Sequence, residues 1–598
     1  MGNLLVARDR WQRRADPAAA VPAVRHWSRR WSLWLTLGYL GQVALRLWLS
    51  RSQSVPLANP DESAYLVIAR VLAGAGAPSD FSYGTLYESG YPLLLVPIYW
   101  FTSNSVTVYH ATMVVNAVVN AALMPLAYLM FRRLALRRWV AFAASAVAAV
   151  VPEGVFYTQY ALSDAIFPVV VLAWLLTVHS WLTARSRRGS VSAAVGSALL
   201  AGYAYAVHPR GLVVVIGFAV VAVLAMVRRM VPAWTLAAAG LALAAVVEAA
   251  FLLNRHISDL LYPEGPRSLT GQAVSRLTNV KDQLNVLEMA GGELWRLTLD
   301  TWGIAAVGLI AAAVAVFRRG VRRDLRIMAA LTVLVTLAIV YVAPAALPAG
   351  QQPTWASGRY PDAMSVTFFI VGIVVLLRVR GWRLVGYAAA AMALGAGTAV
   401  VVVRYAGARQ QVTGFGAFNW ADPAVLTQGW NYVSVPAATV VGLSLLAFWV
   451  LAALALRWLS GRSYARWRAA LLVPIAAMNL FALVQMTTHI SRASTPAQRA
   501  NSLALVAGLK PGDQVAVDEG FWADWISWIP QSYEVWWTKL DFFSAGSAPV
   551  PAGTTVVEVP WPAGQPAGAS WAKAPAGWHV VAQNRVYNWV EWRAPASH

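Results

Sequence analysis

Residues Asn59–Gly74 read NPDESAYLVIARVLAG and begin shortly after the first long apolar segment of the chain. Two adjacent acids, Asp61 and Glu62, open what the pattern predicts to be an amphipathic helix. The apolar face of this helix is predicted to comprise Tyr65, Ile68, Ala69 and Leu72. Acids in a first helical turn stabilise the helix dipole without any further role. A structural interpretation of the two acids therefore stands beside a catalytic one.

The start of this helix carries signals for helix capping. Asn59 is the predicted N-cap, and Pro60 suits the first helical position because its fixed φ matches the helix. Glu62 follows Asn59 at the spacing of a capping box, in which an acidic side chain bonds back to the N-cap. Glu62 thus has a credible capping role, and Asp61 is the freer of the two acids.

The composition excludes an ordinary soluble protein. Of 598 residues, 59% are hydrophobic and only 12% are charged, and the mean hydropathy is +0.54. The chain has no cysteine, which excludes disulfides and thiolate metal sites. A net charge of +21 would suggest nucleic acid in a soluble protein, but here the arginines cluster in short gaps between apolar segments. Such clusters indicate membrane topology, so no nucleic-acid partner is predicted.

The apolar segments predict a polytopic α-helical membrane protein with about 13 transmembrane helices. Residues 1–30 form a basic arm, and residues 31–50 are long enough to cross a bilayer as an uncleaved first helix. Further spans are predicted at 105–131, 138–152, 163–183, 191–207, 211–227, 232–253, 301–317, 327–345, 363–379, 384–404, 435–456 and 469–487. The arginine-rich gaps all fall on one side, which the positive-inside rule assigns to the cytoplasm of a plasma-membrane protein. The N-terminus is therefore predicted to be cytoplasmic and the C-terminal segment extracytoplasmic.

The predicted transmembrane domain covers residues 31–488, and a small extracytoplasmic α/β domain is predicted at 489–598. Strand-like runs at 514–518, 554–559 and 579–592 alternate there with turns rich in Pro and Gly. The richest aromatic cluster of this domain comprises Phe521, Trp522, Trp525, Trp528, Trp536 and Trp537. Indole rings pack on sugar faces, and they also form domain cores and interfacial belts. We expect the domain to bind an acceptor and not to perform catalysis.

The acids and the long loops concentrate on the outer side, at 51–104, 254–300, 346–362 and 405–434. The site is therefore expected there, and four further constellations accompany the first acidic pair. These are Tyr87-Glu88-Ser89-Gly90-Tyr91-Pro92, Ser163-Asp164, His208-Pro209-Arg210-Gly211 and Gly358-Arg359-Tyr360-Pro361-Asp362.

Arg210 and Arg359 are exceptions to the positive-inside rule, because short outer turns of membrane proteins normally lack arginine. A guanidinium at the start of a helix binds phosphate bidentately. The alternatives are snorkelling of the side chain, or an ion pair with Asp164 or Asp362. His208 is interpreted as a helix cap, a hydrogen-bond donor or a metal ligand.

Acids that face phosphate-binding arginines at a membrane surface suggest a lipid-phosphate substrate. One carboxylate can act as general base on an acceptor hydroxyl. A second carboxylate can orient the acceptor or hold a divalent cation, and the residues do not identify which. Glu248, near the outer end of its span, is a weaker candidate for the same cavity because a charge there is expensive in lipid.

An acidic pair in a long first outer loop, at the start of a juxtamembrane helix, resembles the GT-C superfamily of polytopic glycosyltransferases. The nearest branch is the protein O-mannosyltransferase and aminoarabinose-transferase-like group. The resemblance implies that Asp61 is the catalytic base and Asp164 the second acid, with Glu62 a further catalytic candidate. His208 and Arg210, like Arg359 and Tyr360, also look like signposts of the family and are assigned to the lipid phosphate.

Residues 87–92, YESGYP, resemble the Tyr-Glu-Lys-Pro stretch of the aminoarabinose branch. In that branch the Glu can bind metal and the Lys the lipid phosphate, which makes Glu88 a weak candidate for a metal ligand. Ser89 stands in the place of the Lys, and two residues, Gly90 and Tyr91, are inserted before Pro92. The metal role of Glu88 and an aminoarabinose substrate are therefore both in question.

The resemblance implies transfer of a sugar from a polyprenyl-phosphate donor to a glycan, lipid or protein acceptor of the cell envelope, with inversion at the anomeric carbon. No cofactor is identified, and a divalent cation is one option. The Ala-, Arg- and Trp-rich composition is typical of a high-GC actinobacterium, so arabinose and mannose are the favoured sugars. A transporter or flippase is one alternative, although paired spans broken by Gly or Pro are not evident. An exoplasmic polysaccharide polymerase or ligase is the other.

Overall fold

The computed structural model of the chain describes residues 29–82, 84–347, 355–460, 468–501, 509–521 and 531–595. Helices dominate this part of the chain. The first are α1 (Arg29–Ser50), α2 (Asp61–Leu72), α3 (Pro92–Tyr99), α4 (Ser105–Ala121), α5 (Leu123–Arg133), α6 (Arg138–Ala148), α7 (Pro152–Phe156), α8 (Phe167–Leu182), α9 (Arg187–Val207), α10 (Gly211–Val227) and α11 (Ala233–Leu261). Then follow α12 (Leu269–Thr278), α13 (Gln283–Leu299), α14 (Ile304–Phe317), α15 (Arg323–Ala345), α16 (Asp362–Arg378), α17 (Trp382–Ala406), α18 (Ala421–Thr427), α19 (Val435–Ser460), α20 (Leu472–Met486) and α21 (Ala493–Ala500).

Each predicted span coincides with helical structure, but the predicted number of about 13 crossings is not confirmed. Within the described ranges, eight helical segments are long and apolar enough to cross a membrane. A ninth is obtained when α6 and the helical turn that follows it, which meet at 67°, are counted as one bent span. Helices α8 and α10 are apolar but have only 16 and 17 residues, fewer than the roughly 20 that a bilayer requires.

The start of α2 differs from the predicted capping box. Pro60 occupies the N-cap position, and no side chain caps the helix there. The Asn59 side chain accepts a hydrogen bond from the Ser63 hydroxyl at 2.7 Å instead of binding a backbone N–H. Glu62 does reach back to the backbone, but its partners are the N–H groups of Leu57 and Ala58, which precede the predicted cap.

Helix α2 is also buried on all sides and not on one face alone, as the amphipathic pattern predicted. Every residue from Glu62 to Arg70 is buried, so the helix has no solvent-facing side along most of its length. The predicted apolar face was therefore too narrow. The cause is tertiary, because α3, the loop after α2 and the C-terminal segment all pack around this helix.

The C-terminal segment contains a mixed five-stranded sheet. Its strands are β3 (Val515–Asp518), β4 (Asp541–Phe543), β5 (Val556–Pro560), β6 (His579–Asn584) and β7 (Trp589–Arg593), and β1 (Arg409–Gln411) and β2 (Tyr432–Ser434) form a separate antiparallel pair. The spatial order is β4-β3-β5-β7-β6, with β3 parallel to both neighbours and the remaining pairs antiparallel. The predicted run 579–592 is therefore a hairpin of two strands. The helical segment Ala469–Ala500 continues without a break through residue 489. The domain boundary at residue 489 stays a prediction.

Segment 531–537 of the C-terminal domain is bonded directly to α2 and its surroundings. Arg70, near the end of α2 and 1% exposed, donates through Nη1 to the carbonyl oxygens of Ser532 and Tyr533 at 3.1 and 3.2 Å. The backbone N–H of Ala77 donates to the carbonyl of Trp536 at 3.0 Å. The domain therefore holds the helix that carries the two acids.

The aromatic cluster predicted in this domain is described only in part. Trp522, Trp525 and Trp528 lie outside the described residues. The indole N–H of Trp537 donates to the carbonyl of Asp513 at 2.8 Å, and its ring packs against the small core beneath β3. Trp537 thus contributes to the core of its own domain, which was one of the two interpretations left open.

Candidate active site

Asp61 has both carboxylate oxygens engaged, yet its side chain remains 25% exposed. Oδ1 accepts a hydrogen bond from the Tyr87 hydroxyl at 2.7 Å, and Oδ2 accepts one from Nη2 of Arg359 at 2.7 Å. Two donors on opposite oxygens fix the orientation of the carboxylate. A carboxylate has about four lone-pair sites, so the exposed edge can still accept a proton or a further hydrogen bond.

Asp164 is buried between the two arginines that the charge pattern singled out. Its Oδ2 accepts a hydrogen bond from Nε of Arg359 at 3.0 Å, and its Oδ1 accepts one from Nη2 of Arg210. Burial alone would raise the pKa of Asp164, but the guanidinium groups of Arg359 and Arg210 outweigh it and hold the pKa below its usual range. The ion pair left open as an alternative is thus made with Asp164.

Arg359 bridges the two acids, because one edge of its guanidinium meets Asp61 and its Nε meets Asp164. Its side chain is 14% exposed, and its Nη1 makes none of the hydrogen bonds found among the described residues. Arg359 therefore retains N–H donors that a bound anion can use.

Arg210 is more completely engaged than Arg359. Its Nη1 donates to the backbone carbonyls of Arg359 and Tyr360 at 2.8 and 2.9 Å, and its Nε donates to Nδ1 of His208 at 3.2 Å. The ring centroid of Tyr360 lies 5.1 Å from the guanidinium carbon. These contacts fix the backbone of the loop that carries Arg359.

His208 ends α9 and acts on the turn that follows. Its Nδ1 accepts hydrogen bonds from the backbone N–H of Arg210 at 3.1 Å and from the Arg210 side chain. Burial lowers the pKa of His208 well below its ordinary value, and the charge of Arg210 lowers it further. A neutral ring that accepts hydrogen bonds at Nδ1 fits the capping interpretation of His208.

Glu62 points away from Asp61 into the protein and is fully buried. Its Oε1 accepts hydrogen bonds from the N–H groups of Leu57 and Ala58, both at 2.6 Å. Its Oε2 accepts from the Tyr109 hydroxyl and from the N–H of Ala161, again at 2.6 Å. With four protein donors this carboxylate ties the turn before α2 to two distant segments, at Tyr109 and Ala161, and its geometry is that of a structural group.

Glu88 and Ser89 occupy the loop that lies against α2 and α11. Burial raises the pKa of Glu88 to about 8, and its own backbone and the charge of Arg210 only partly oppose the shift. Ser89 is buried, and its N–H and hydroxyl both donate to Oδ1 of Asn254, at 3.0 and 2.7 Å. The residue in the place of the family's Lys is therefore used to anchor the loop to α11.

Two other acids from the sequence patterns do not join Asp61 and Asp164. Asp362, at the start of α16, lies next to Glu153 and lines one cleft with Arg210 and Arg359, but it forms no ion pair with either arginine among the described residues. Glu248 lies on the exposed face of α11 and makes no described contact with the site.

The sequence patterns missed a second ionic cluster centred on Arg296. Its Nη2 lies 2.6 Å from Oε1 of Glu153 and 3.3 Å from Oδ2 of Asp422, and its Nε lies 3.8 Å from Oδ1 of Asp300. An acid directly after a proline in an apolar run, as at Glu153, is unusual enough to be noticed in a membrane protein. Its partners could not be found in this way, because Arg296 is 143 residues further along the chain.

Among the described residues, one group of carboxylates other than Glu88 is arranged to bind a cation. One oxygen each of Glu153, Asp300 and Asp422 lie within 4.8 Å of one another, which suits an ion that prefers oxygen ligands. Glu88 is not grouped with two further acidic or histidine side chains in the described part of the chain. The metal role suggested for Glu88 stays a prediction.

The arrangement around Asp61 combines an oriented carboxylate with an arginine that has free donors. The carboxylate can take a proton from a hydroxyl, and the guanidinium can neutralise a developing negative charge on a nearby oxygen. Tyr87 and Asp164 hold the pair in position from either side.

Comparison with known proteins identifies the fold. No protein-family model and no curated protein matches the sequence. ArnT from Cupriavidus metallidurans in the apo state has a TM-score of 0.52 and 16% identity, and the match covers 94% of this chain and 98% of that chain. ArnT bound to undecaprenyl phosphate gives a TM-score of 0.51 and 14% identity over the same shares. Arabinosyltransferase EmbB from Mycobacterium smegmatis has a TM-score of 0.43 and 16% identity over 81% of this chain and 44% of that chain. The chain therefore has the fold of ArnT, which agrees with the GT-C architecture predicted from the helix that begins with Asp61 and Glu62.

Proposed function

We propose that this chain is a membrane glycosyltransferase that moves a sugar from a polyprenyl-phosphate donor to a hydroxyl acceptor on the exoplasmic face. The observation that carries the proposal is the partly exposed carboxylate of Asp61 held between Tyr87 and Arg359. A general base and an anion-binding group at adjacent positions are the two functions that such a transfer needs.

In the proposed reaction the acceptor hydroxyl gives its proton to the exposed edge of the Asp61 carboxylate. The acceptor oxygen forms a bond to the anomeric carbon, while the bond from that carbon to the phosphate oxygen breaks. The electron pair of the broken bond stays on the polyprenyl phosphate, which leaves with an additional negative charge. A single displacement of this kind inverts the configuration at the anomeric carbon.

The leaving phosphate is proposed to bind at the free N–H groups of Arg359. Because its Nε and Nη2 are held by Asp164 and Asp61, the guanidinium is oriented before the donor arrives. Donors that need no reorganisation stabilise a transition-state charge most effectively. Arg210, His208 and Tyr360 are proposed to maintain the loop that presents Arg359, and Glu62 to maintain the helix that presents Asp61.

The proposals for the lipid part of the donor and for its sugar are supported by different observations. ArnT has been solved with undecaprenyl phosphate bound, and its fold matches this chain over nearly its whole length, which supports a polyprenyl phosphate. Arabinose and mannose are the first sugars to test, since they follow from the composition of the chain. A glycan, a lipid and a protein are all acceptors of the right chemistry.

The test is sugar transfer by the full chain in proteoliposomes. Decaprenyl-phosphoryl arabinose and polyprenyl-phosphoryl mannose, each labelled in the sugar, are supplied with an acceptor extract of an actinobacterial envelope. We expect label in the acceptor and free polyprenyl phosphate in equal amounts. Movement of intact donor between leaflets with no label in the acceptor would refute the proposal in favour of a transporter. Products that carry long labelled chains would instead indicate a polymerase.

A further inference from the structure

The buried cluster around Arg296 borders the candidate site, because Glu153 and Asp362 line one cleft with Asp164, Arg210 and Arg359. The proposed reaction does not use it. It contains the carboxylates of Glu153, Asp300, Asp362 and Asp422, which we term the acidic cluster. These residues come from four separate elements, and each is less than 5% exposed. A cluster of this kind is costly to bury, so its charge has to be balanced by something.

Among the described residues, the cation that contacts these carboxylates does not balance their charge. Arg296 contacts Glu153, Asp422 and Asp300 and contributes a single positive charge. With all four carboxylates ionised, the cluster would carry a formal charge of −3. Either protons or a bound cation must make up the difference.

Geometry favours a cation. One oxygen each of Glu153, Asp300 and Asp422 lie within 4.8 Å of one another. Ligands on opposite sides of a calcium ion are separated by about 4.6–5.2 Å, since each Ca–O bond is about 2.3–2.6 Å long. The three oxygens are therefore close enough together to contact one ion.

Unpartnered oxygens beside the three ligands provide an independent indication. The Tyr157 hydroxyl is 2% exposed and has no hydrogen-bond partner among the described residues, although a buried hydroxyl normally has one. Asp362 finds no donor from another kind of residue in the same part of the chain, and its partner is the neighbouring carboxylate of Glu153. Tyr157, Asp362 and Glu153 line one narrow cleft, which Asp164, Arg210 and Arg359 of the candidate site also line. Several buried oxygens without hydrogen-bond donors in one place are typical of a cation site.

We propose that the acidic cluster binds one divalent cation with a preference for oxygen ligands, of the calcium type. Glu153, Asp300 and Asp422 are the direct ligands, and Asp362 and Tyr157 complete the oxygen environment. The chemistry of the donor set excludes ions that require nitrogen or sulfur ligands.

The proposed ion is structural and acts on the loop before α16. An added Cβ at Gly358 would lie 2.3 Å from Nη2 of Arg296 and 2.7 Å from Oε1 of Glu153, so the backbone of this loop rests directly on the cluster. The next residue is Arg359, which contacts Asp61 and Asp164. An ion that fixes Glu153 and Arg296 would therefore keep this loop in place.

The first test uses the wild-type full chain in detergent, purified without chelators. Elemental analysis is expected to find about one calcium per chain, and dialysis against EGTA is expected to remove it. Addition of CaCl2 to the dialysed protein should then raise the Tm by at least about 2 °C. Absence of any bound divalent metal, together with an unchanged Tm in CaCl2, MgCl2 and MnCl2, would overturn the proposal and leave protons as the balancing charge.

The second test uses variants and does not depend on glycosyl transfer. Asp300→Asn and Asp422→Asn each remove a ligand charge and should abolish the calcium-dependent rise in Tm. Glu591→Gln is the matched control, because Glu591 is a buried carboxylate in β7 whose oxygens also lack described hydrogen-bond partners. It should retain the full calcium response. An equal loss of response in the control, or a retained response in both ligand variants, would refute the site even if the chain proved to be a glycosyltransferase.

Discussion

Nη2 of Arg359 donates a hydrogen bond to Oδ2 of Asp61 at 2.7 Å, although the two residues are 298 positions apart in the chain. The same guanidinium is bonded to Asp164 through Nε at 3.0 Å. The candidate base and the candidate phosphate ligand are therefore parts of one hydrogen-bonded unit. Variants have to separate acceptance of a proton from binding of an anion.

Asp61→Asn tests proton acceptance. The amide keeps the shape of the side chain and an oxygen that can face Arg359, but it cannot act as a base. We expect sugar transfer to fall by at least about 100-fold while Tm and donor binding remain close to wild type. Asp80→Asn, in the same loop, is the control and should transfer normally. Near-normal turnover by Asp61→Asn would show that another group is the base.

Arg359→Ala tests anion binding. Loss of a charge-assisted contact costs about 1.5–3 kcal/mol, so affinity for undecaprenyl phosphate should fall about tenfold or more, measured by thermophoresis or product inhibition. Arg359→Lys should restore only part of it, because an ammonium lacks the planar fork. The control is Arg255→Ala, which removes an exposed arginine of α11. Unchanged affinity in Arg359→Ala would exclude this arginine from the phosphate site.

Arg210→Ala should differ from Arg359→Ala in its effect on stability. Arg210 donates to two backbone carbonyls and to Asp164 and is 6% exposed, so its removal leaves buried acceptors without donors. We expect weaker donor binding and a larger fall in Tm than for Arg359→Ala, because Arg359 donates to two side chains and to no backbone carbonyl. Equal Tm values for the two variants would show that Arg210 does not maintain the loop.

Glu62→Gln should be the converse of Asp61→Asn. All four donors that surround Glu62 point at its oxygens, so an amide NH2 in either orientation faces N–H or O–H groups. We expect the free energy of unfolding to fall by about 1–3 kcal/mol, measured by denaturation in detergent, with transfer per folded molecule largely retained. Loss of transfer at unchanged stability would assign Glu62 to the chemistry.

Glu88 gives a pH dependence of stability with a defined sign. Burial raises its pKa to about 8 from an ordinary value of 4.5, so the folded state holds this proton more tightly than the unfolded state. The resulting contribution is fully present below about pH 4.5 and is lost as the pH rises through about 8. Wild-type Tm should therefore decline over this range relative to that of Glu88→Gln. Parallel curves for the two proteins would contradict the burial of an acid with a raised pKa.

Arg70→Met tests what the C-terminal domain does. The substitution removes the hydrogen bonds from α2 to Ser532 and Tyr533 but keeps an apolar stem. Because Asp61 lies on the same helix, we expect sugar transfer and hydrolysis of the donor to decline together. The control is Arg593→Met, which breaks an ion pair with Asp513 inside the domain. A change confined to the KM for acceptor would instead support acceptor binding as the domain's role.

The sequence by itself determined the features that depend on local pattern. Apolar length located helices such as α11 and α15, and alternation with turns located β3 and β5, because both signals are read over a few neighbouring residues. The short helix that begins at Asp61 was also foreseen, as was the general GT-C architecture. Capping at Asn59 was not, since the Glu62 side chain found buried donors elsewhere that a local pattern does not contain.

Only the tertiary structure decided which charged residues meet. Asp164 could have paired with either arginine or with neither, and the packing of α8, α9 and the loop before α16 brought both to it. Arg296 and Glu153 meet across 143 positions, and no spacing rule connects them. Contacts between residues far apart in the chain depend on how whole helices and loops pack against one another. The sequence therefore indicates which acids and arginines are unusual, and the fold alone assigns their partners.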